Sequence, residues 1–217
     1  MDEQQTDKDF HCRHYLPHIE NKQFQMITFR LYDSVPREVR ESWKIMLESL
    51  RTTPRTPTPG TPASSLRKDT DEDRQAARQL LKLIDTYEDA GYGQCFMRDR
   101  NIARIVEDTI FYYDKKKYDL AAWCIMPNHV HVLCSMQNGN TLSSVLHSWR
   151  SFSSNKINEQ LNRRGKVWMN EYFDRFIRNE EHFRKAVEYI HNNPVKAGLS
   201  PTPEQYPWSS AHTQRWR

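Results

Sequence analysis

The chain has 217 residues, 37% of them hydrophobic and 28% charged, and a net charge of only +4. No apolar run approaches the ~20 residues that a membrane helix needs, so the composition describes a soluble globular core with some exposed length and excludes a membrane-embedded protein. The four cysteines, Cys12, Cys95, Cys124 and Cys134, show no CxxC pairing and point to a reducing cytoplasm, and the polar N-terminus predicts no secretory signal.

Along the chain, Phe24, Met26, Thr28 and Arg30 alternate with Ile27, Phe29 and Leu31, which predicts a strand over 24–32. Ser34 as a cap, Pro36 in the first turn and a stripe of Val39, Trp43, Ile45, Met46 and Leu50 predict a helix after it. Composition then changes: Pro54, Pro57, Pro59, Gly60 and Pro62 make 51–73 an exposed insertion within one domain spanning 1–217. Helical spacing returns over 71–89 and again over 98–113, where Ile102, Ile105, Val106 and Ile110 repeat. The continuously apolar 118–126 reads as a central strand, Pro127-Asn128 as a turn, and 129–136 as the second arm of a hairpin.

Leu142, Val145, Leu146, Trp149, Ser153 and Ile157 predict a helix over 138–161, and 165–179 reads as a turn and short edge strand. A last helix over 180–198 carries the stripe Phe183, Ala186, Val187 and Ile190, with Pro194 expected to stop it; 199–217 is a tail without regular period. The order of elements fits an α+β protein with a ferredoxin-like β-α-β-β-α-β antiparallel sheet, flanking helices and additions.

Charge is concentrated in one place. Between Thr141 and Trp168, Arg150, Lys156, Arg163, Arg164 and Lys166 face Glu159 alone. Such a stripe is a footprint for a polyanion or a solvated helix face. The five basic residues fit phosphate contacts and Trp168 fits stacking on an unpaired base, whereas Trp149 and Phe152 read as core.

The segment "WCIMPNHVHVLC" raises the chemical question. In a strand, His129 and His131 project from the same face, Val130 and Val132 from the other, and two imidazoles so placed can converge on one divalent cation. Hydrogen-bonded histidines at a sheet surface are the plainer alternative. On the last helix Tyr189 and Asn193 share a face. Tyr189 is either a core residue with a polar tip or, docked against the histidines, a phenol beside a metal site to which Asn193 adds an amide oxygen. A cation that polarises a phosphodiester would make attack by a phenol feasible.

"WCIMPNHVHVL", "EYFDRFIRNEEHFRKAVEYIHNNPVKAGL" and "YPWSS", in that order, resemble the REP-associated tyrosine transposases, single-tyrosine members of the HUH endonuclease superfamily. The resemblance spans about 115–212, is fainter over 13–50 and does not reach 51–73. It implies a nuclease for single-stranded or hairpin-forming palindromic DNA, dependent on Mg2+ or Mn2+. Its metal-binding pair falls on His129 and His131, its nucleophile on Tyr189 and its helix-borne ligand on Asn193. It also implies a 5′-phosphotyrosine intermediate, a cytoplasmic, nucleoid-associated location, and a second copy of the chain as a candidate partner. Members often carry Lys at the place of Arg150 and Gln at that of Met169; Arg150 keeps the charge. Two other readings compete with cleavage: a silent module that binds DNA hairpins, and a protein whose metal only stabilises the fold.

Overall fold

The computed structural model describes residues 10–13, 16–19, 24–41, 75, 79, 82, 83 and 85–212. The 51–73 insertion and most of the helices expected over 34–50 and 71–84 lie outside the described residues; residues 37–41 and 85–89 are helical, as expected. A two-stranded antiparallel ribbon, β1 (Phe10–Arg13) and β2 (Leu16–Ile19), precedes the core.

The core follows the expected order: β3 (Phe24–Arg30), α1 (Arg100–Phe111), β4 (Tyr118–Ile125), β5 (His129–Met136), α2 (Leu142–Gln160) and β6 (Phe173–Phe176). The sheet is antiparallel throughout, in the order β4-β5-β3-β6. That is the ferredoxin-like arrangement, with the first and third core strands side by side in the centre. A further helix, α3 (Glu180–Lys196), covers the opposite face from α1 and α2.

Alternation along β3 sorts its side chains as its sequence pattern requires. Ile27, Phe29 and Leu31 enter the core beneath α1 and α2, with Val130, Val132, Trp149 and Trp168. On the other face Met26, Leu133, Ala122 and Cys124 pack with Ala186 and Ile190 of α3. A bulge between Leu120 and Ala122 makes this possible, because it shifts the alternation of β4. Trp123 and Ile125 thereby join the α1–α2 core, while the small Ala122 and Cys124 lie under α3.

The helices begin where their caps dictate. Asp99 accepts from the Asn101 amide at 2.8 Å to start α1, and Asn179 accepts from the His182 amide at 2.8 Å to start α3, each worth about 1 kcal/mol. Glu180 and Glu181 in the first turn of α3 and Lys196 in its last complement the helix dipole. Pro194 does not stop α3 as expected; the helix passes through it to Lys196. A proline removes the N–H and crowds the carbonyl four residues back, but the bonds after it are kept: the Ala197 amide reaches the Asn193 carbonyl at 3.0 Å and the Leu199 amide the Pro194 carbonyl at 2.8 Å, so the last turn survives.

The described part of the tail, up to residue 212, is held against the sheet. It runs beside the outer edge of β4: the Ile125 amide donates to the Trp208 carbonyl at 2.8 Å, and the Ser210 amide to the Trp123 carbonyl at 2.9 Å. Its irregular sequence conceals this because the pairing covers only a few residues.

Candidate active site

His129 and His131 stand on central strand β5, opposite Arg30 and Thr28 of β3, and are 1% and 2% exposed. Strand rise separates their Cα atoms by about 7 Å. Their rings converge nonetheless, with the two Nε2 atoms 3.0 Å apart.

The other ring nitrogens define the proton positions. Asn128, in the hairpin turn, donates its Nδ2 to the carbonyls of Glu88 at 3.2 Å and Tyr92 at 3.1 Å, which fixes its Oδ1 toward His129 Nδ1 at 2.8 Å. An amide oxygen only accepts, so His129 carries its proton on Nδ1 and presents a lone pair at Nε2. The Nε2–Nε2 contact then needs the His131 proton on Nε2, with His131 Nδ1 accepting from the Thr28 hydroxyl at 2.8 Å. A hydroxyl can also accept. With the His131 proton moved to Nδ1, both Nε2 lone pairs face the same point.

Both imidazoles are held neutral. Burial depresses the His129 pKa most, with the neighbouring His131, Arg30 and Lys196 adding to it. Burial, then Arg30 and Lys196, bring His131 down to about 3. A neutral imidazole is the form that ligates metals.

The loop that carries these contacts is fixed by a close approach. A Cβ at Gly93, whose φ is +88°, would meet the Asp33 carbonyl oxygen at 2.6 Å, so only glycine fits there. The Gln94 amide donates to the Asp33 carboxylate at 2.8 Å, and the Met97 amide to the Pro127 carbonyl at 3.2 Å.

Helix α3 completes the site. Tyr189 is half-buried, and its ring meets that of His131 at 5.4 Å between centroids, tilted 76°. Burial and the charges of Asp85, Glu88 and Asp89 push its pKa up, against a hydrogen-bonding influence of Asn193. Asn193 is 2% exposed and lies beside both His131 and Tyr189, yet neither of its amide atoms makes an aligned hydrogen bond. Its two polar neighbours on the helix point elsewhere: His191 Nε2 meets the Ser210 hydroxyl at 2.8 Å, and the exposed Asn192 donates to the Glu188 carbonyl.

These donors fit a divalent cation. Two nitrogens 3.0 Å apart, each about 2.1 Å from a common ion, subtend about 90° there, the angle between adjacent octahedral positions. The unpartnered, buried Asn193 amide adds an oxygen on the same face. Among the described residues, no three His, Cys, Asp or Glu side chains already close on one point.

Sequence reasoning missed the surrounding charge. Arg30 and Glu88, both 2% exposed at the side chain, are in contact at 2.5 Å, and the second Glu88 oxygen lies 4.0 Å from His129 Nε2. Arg30 was readable as lying on the histidine side of β3. Glu88 carried no comparable signal, because its placement depends on the helical residues 85–89 docking against the hairpin turn.

The basic stripe is distributed unevenly. Arg150 donates to the carbonyls of Met169 and Asn170 at 2.8 Å and lies over the Tyr172 ring. Lys156 pairs with Glu159. Arg163 lies over Phe96, Lys166 lies near the ring of Tyr32, and Arg164 is exposed. Trp168, expected to stack on a base, is instead core: it is 5% exposed, packs edge-on against Phe29 at 4.9 Å, and donates its indole N–H to Ser153 at 2.8 Å. Phe152 shows the reverse error. Expected in the core, it is 54% exposed, because it falls outside the buried stripe of α2.

Comparison with known proteins bears on the fold and on the motif pattern. Residues 97–193 match the family described as Transposase IS200 like. A REP-associated tyrosine transposase of Escherichia coli (strain K12) is 27% identical over 100 residues, which cover 45% of this chain and 56% of that protein. The match thus spans little more than half of that relative's length. A solved structure of a REP-associated tyrosine transposase bound to a REP hairpin superposes with a TM-score of 0.50 at 14% identity, covering 93% of this chain and 82% of the other. The fold is therefore shared, and the resemblance read from the motifs is borne out. Among the described residues, no helix is long and apolar enough to cross a membrane.

Proposed function

We propose, for a chain whose residues 97–193 carry the pattern of the IS200-like transposases, the activity of a metal-dependent DNA endonuclease and strand transferase acting on single strands. In this reading Tyr189 is the nucleophile, and His129, His131 and Asn193 hold Mg2+ or Mn2+. The observation that carries it is the meeting of the Tyr189 and His131 rings at 5.4 Å beside the buried Asn193 amide, which makes no aligned hydrogen bond.

A bound dication would supply positive charge that polarises a phosphodiester and offsets the charge developing in the transition state. The chain supplies the rest. The Tyr189 oxygen attacks phosphorus, the bond from phosphorus to the 3′ oxygen breaks, and the products are a 5′-phosphotyrosine and a free 3′-OH. As the new bond forms, the phenolic proton leaves for a base, and the departing 3′ oxygen takes up a proton. Asp85, whose charge favours the protonated phenol and whose own pKa burial raises, is the base the site offers. Burial raises the phenol's pKa further, so its proton must be removed as attack proceeds. Attack by the 3′-OH on the phosphotyrosine reverses the sequence, so joining needs no external energy.

The likeness to a protein bound to a REP hairpin suggests hairpin-forming palindromes as substrate. Arg163, Arg164 and Lys166 are the basic residues best placed to meet phosphates, with Lys156 farther along α2 and Arg150 bracing the 169–170 backbone. A cytoplasmic, nucleoid-associated location and a second copy as partner accompany this reading. Incubating the protein and Mn2+ with a labelled palindromic single strand tests it. A denaturation-resistant adduct that disappears in Tyr189→Phe is the expected result, and cleavage persisting in that variant would refute the covalent step.

A further inference from the structure

We infer that Glu88 is a further ligand of the same metal site, the carboxylate that complements His129, His131 and Asn193. The inference rests on the metal-dependent reading above and extends it to a residue that the motifs do not include.

Three observations point to it. The first is reach. Donors at about 2.1 Å from one octahedral ion lie about 3.0 Å apart when adjacent and about 4.2 Å apart when opposite. Glu88 Oε2 is 4.0 Å from His129 Nε2, near the opposite spacing, and the histidine nitrogens are 3.0 Å apart, the adjacent spacing; the three side chains do not close on one point as they stand, so ligation requires the carboxylate to move inward.

The second is charge. Two imidazoles and an amide are neutral, and both imidazoles feel the positive charges of Arg30 and Lys196. A dication in so buried a pocket needs an anionic partner, and hard dications prefer oxygen. Glu88 is 3% exposed and reaches to within ion-pair distance of His129.

The third is anchorage. The backbone of Glu88 accepts from Asn128, the residue that orients His129. One residue on, Asp89 pairs with Lys196 at 2.5 Å in the last turn of the helix that carries Tyr189 and Asn193. The carboxylate is thus tied to both elements that supply the other donors. Its Oε1 contacts Arg30 at 2.5 Å without forming an aligned hydrogen bond, and its Oε2 is the oxygen turned toward His129.

The test measures Mn2+ binding to the full chain by electron paramagnetic resonance and calorimetry, with thermal melts to confirm folding. The variants are Glu88→Gln, His131→Ala and the double variant Arg30→Met/Glu88→Gln. Glu88→Gln should weaken Mn2+ binding by about tenfold to a hundredfold, and weaken Zn2+, which tolerates nitrogen ligands, less. The double variant decides between a ligand and a mere counter-charge for Arg30: it should bind Mn2+ as weakly as Glu88→Gln and should also survive if the single variant fails to fold. Unchanged Mn2+ affinity in Glu88→Gln, or wild-type affinity restored in the double variant, overturns the assignment of Glu88 while the His131→Ala loss keeps the metal site standing. Wild-type protein that binds no Mn2+, or His131→Ala that binds it normally, overturns both.

Discussion

Tyr189 and His131 meet edge to face across the interface between α3 and the sheet, their ring centroids 5.4 Å apart. A phenol brought this close to one of two convergent imidazoles is placed by the packing of Ala186 and Ile190 on Ala122 and Cys124, not by its own ring alone. Replacing only the hydroxyl should therefore spare the fold. Tyr189→Phe is expected to lose all covalent adduct while its unfolding free energy stays within about 1 kcal/mol of the parent. Adduct formation on palindromic DNA and urea denaturation check the two halves.

Thr28 should support the His131 tautomer that frees Nε2 for a cation, because its hydroxyl is the group that can accept an Nδ1 proton. Valine has the same shape but can neither donate nor accept, so Thr28→Val leaves His131 without a partner that could receive an Nδ1 proton. The expected result is Mn2+ binding weakened by about tenfold or more. Thr28→Ser, which restores a hydroxyl, should recover most of it. Nitrogen-detected NMR of the imidazoles reads the tautomer directly, and a His131 spectrum in the Mn2+-free protein unaltered by Thr28→Val would contradict the assignment.

The two aromatic residues whose placement the sequence misjudged should separate stability from binding. Trp168→Ala empties a packed site beside Phe29 and leaves the Ser153 hydroxyl without its indole donor, at a cost of about 3–5 kcal/mol. Phe152→Ala removes an exposed ring and should change stability by no more than about 0.5 kcal/mol. Denaturation midpoints measure both.

These two residues show what the sequence could and could not disclose. Alternation over β3 and the hairpin identified the strands, their faces and the shared direction of His129 and His131, because a two-residue period leaves little choice when both faces are buried. Helical spacing identified α2, but a 19-residue helix has positions flanking its stripe whose exposure depends on what packs beside them. Phe152 is such a position. Trp168 sits within the loop between α2 and β6, where no period exists to assign a face. The pairing of Tyr189 with Asn193 was legible as helix geometry. Glu88 and Thr28 were not, since their relation to the histidines arises only from docking of separate segments.

Acidification should weaken the metal-free fold. His131 titrates near 6.5 when unfolded and at about 3 when folded, and His129 is shifted in the same direction. Their stabilisation is complete above pH 6.5 and is lost as pH falls toward 3, because the unfolded chain takes up protons that the folded one refuses. Glu88 acts in the opposite sense. Its pKa is raised, chiefly by burial, from 4.5 to about 7, so its stabilisation is complete below 4.5 and is lost as pH rises through 7. At about 1.4 kcal/mol per pH unit and group, two imidazoles outweigh one carboxyl between pH 6.5 and pH 5. Denaturant titrations in EDTA should show stability falling over that range, more steeply in Glu88→Gln and less steeply in His131→Ala.

The segment along the margin of β4 has a bearing on how copies of the chain could trade parts. Ser210 donates its amide to the Trp123 carbonyl and meets His191 of α3 through its hydroxyl, so one residue stitches that helix to the strand. Tyr206 adds a hydroxyl bond to the Ile125 carbonyl at 2.9 Å. Swapping the helix into a neighbouring molecule, so that one chain's phenol served another's imidazoles, would first require peeling this hem away and baring a strand margin ready to zip onto any passing β-chain.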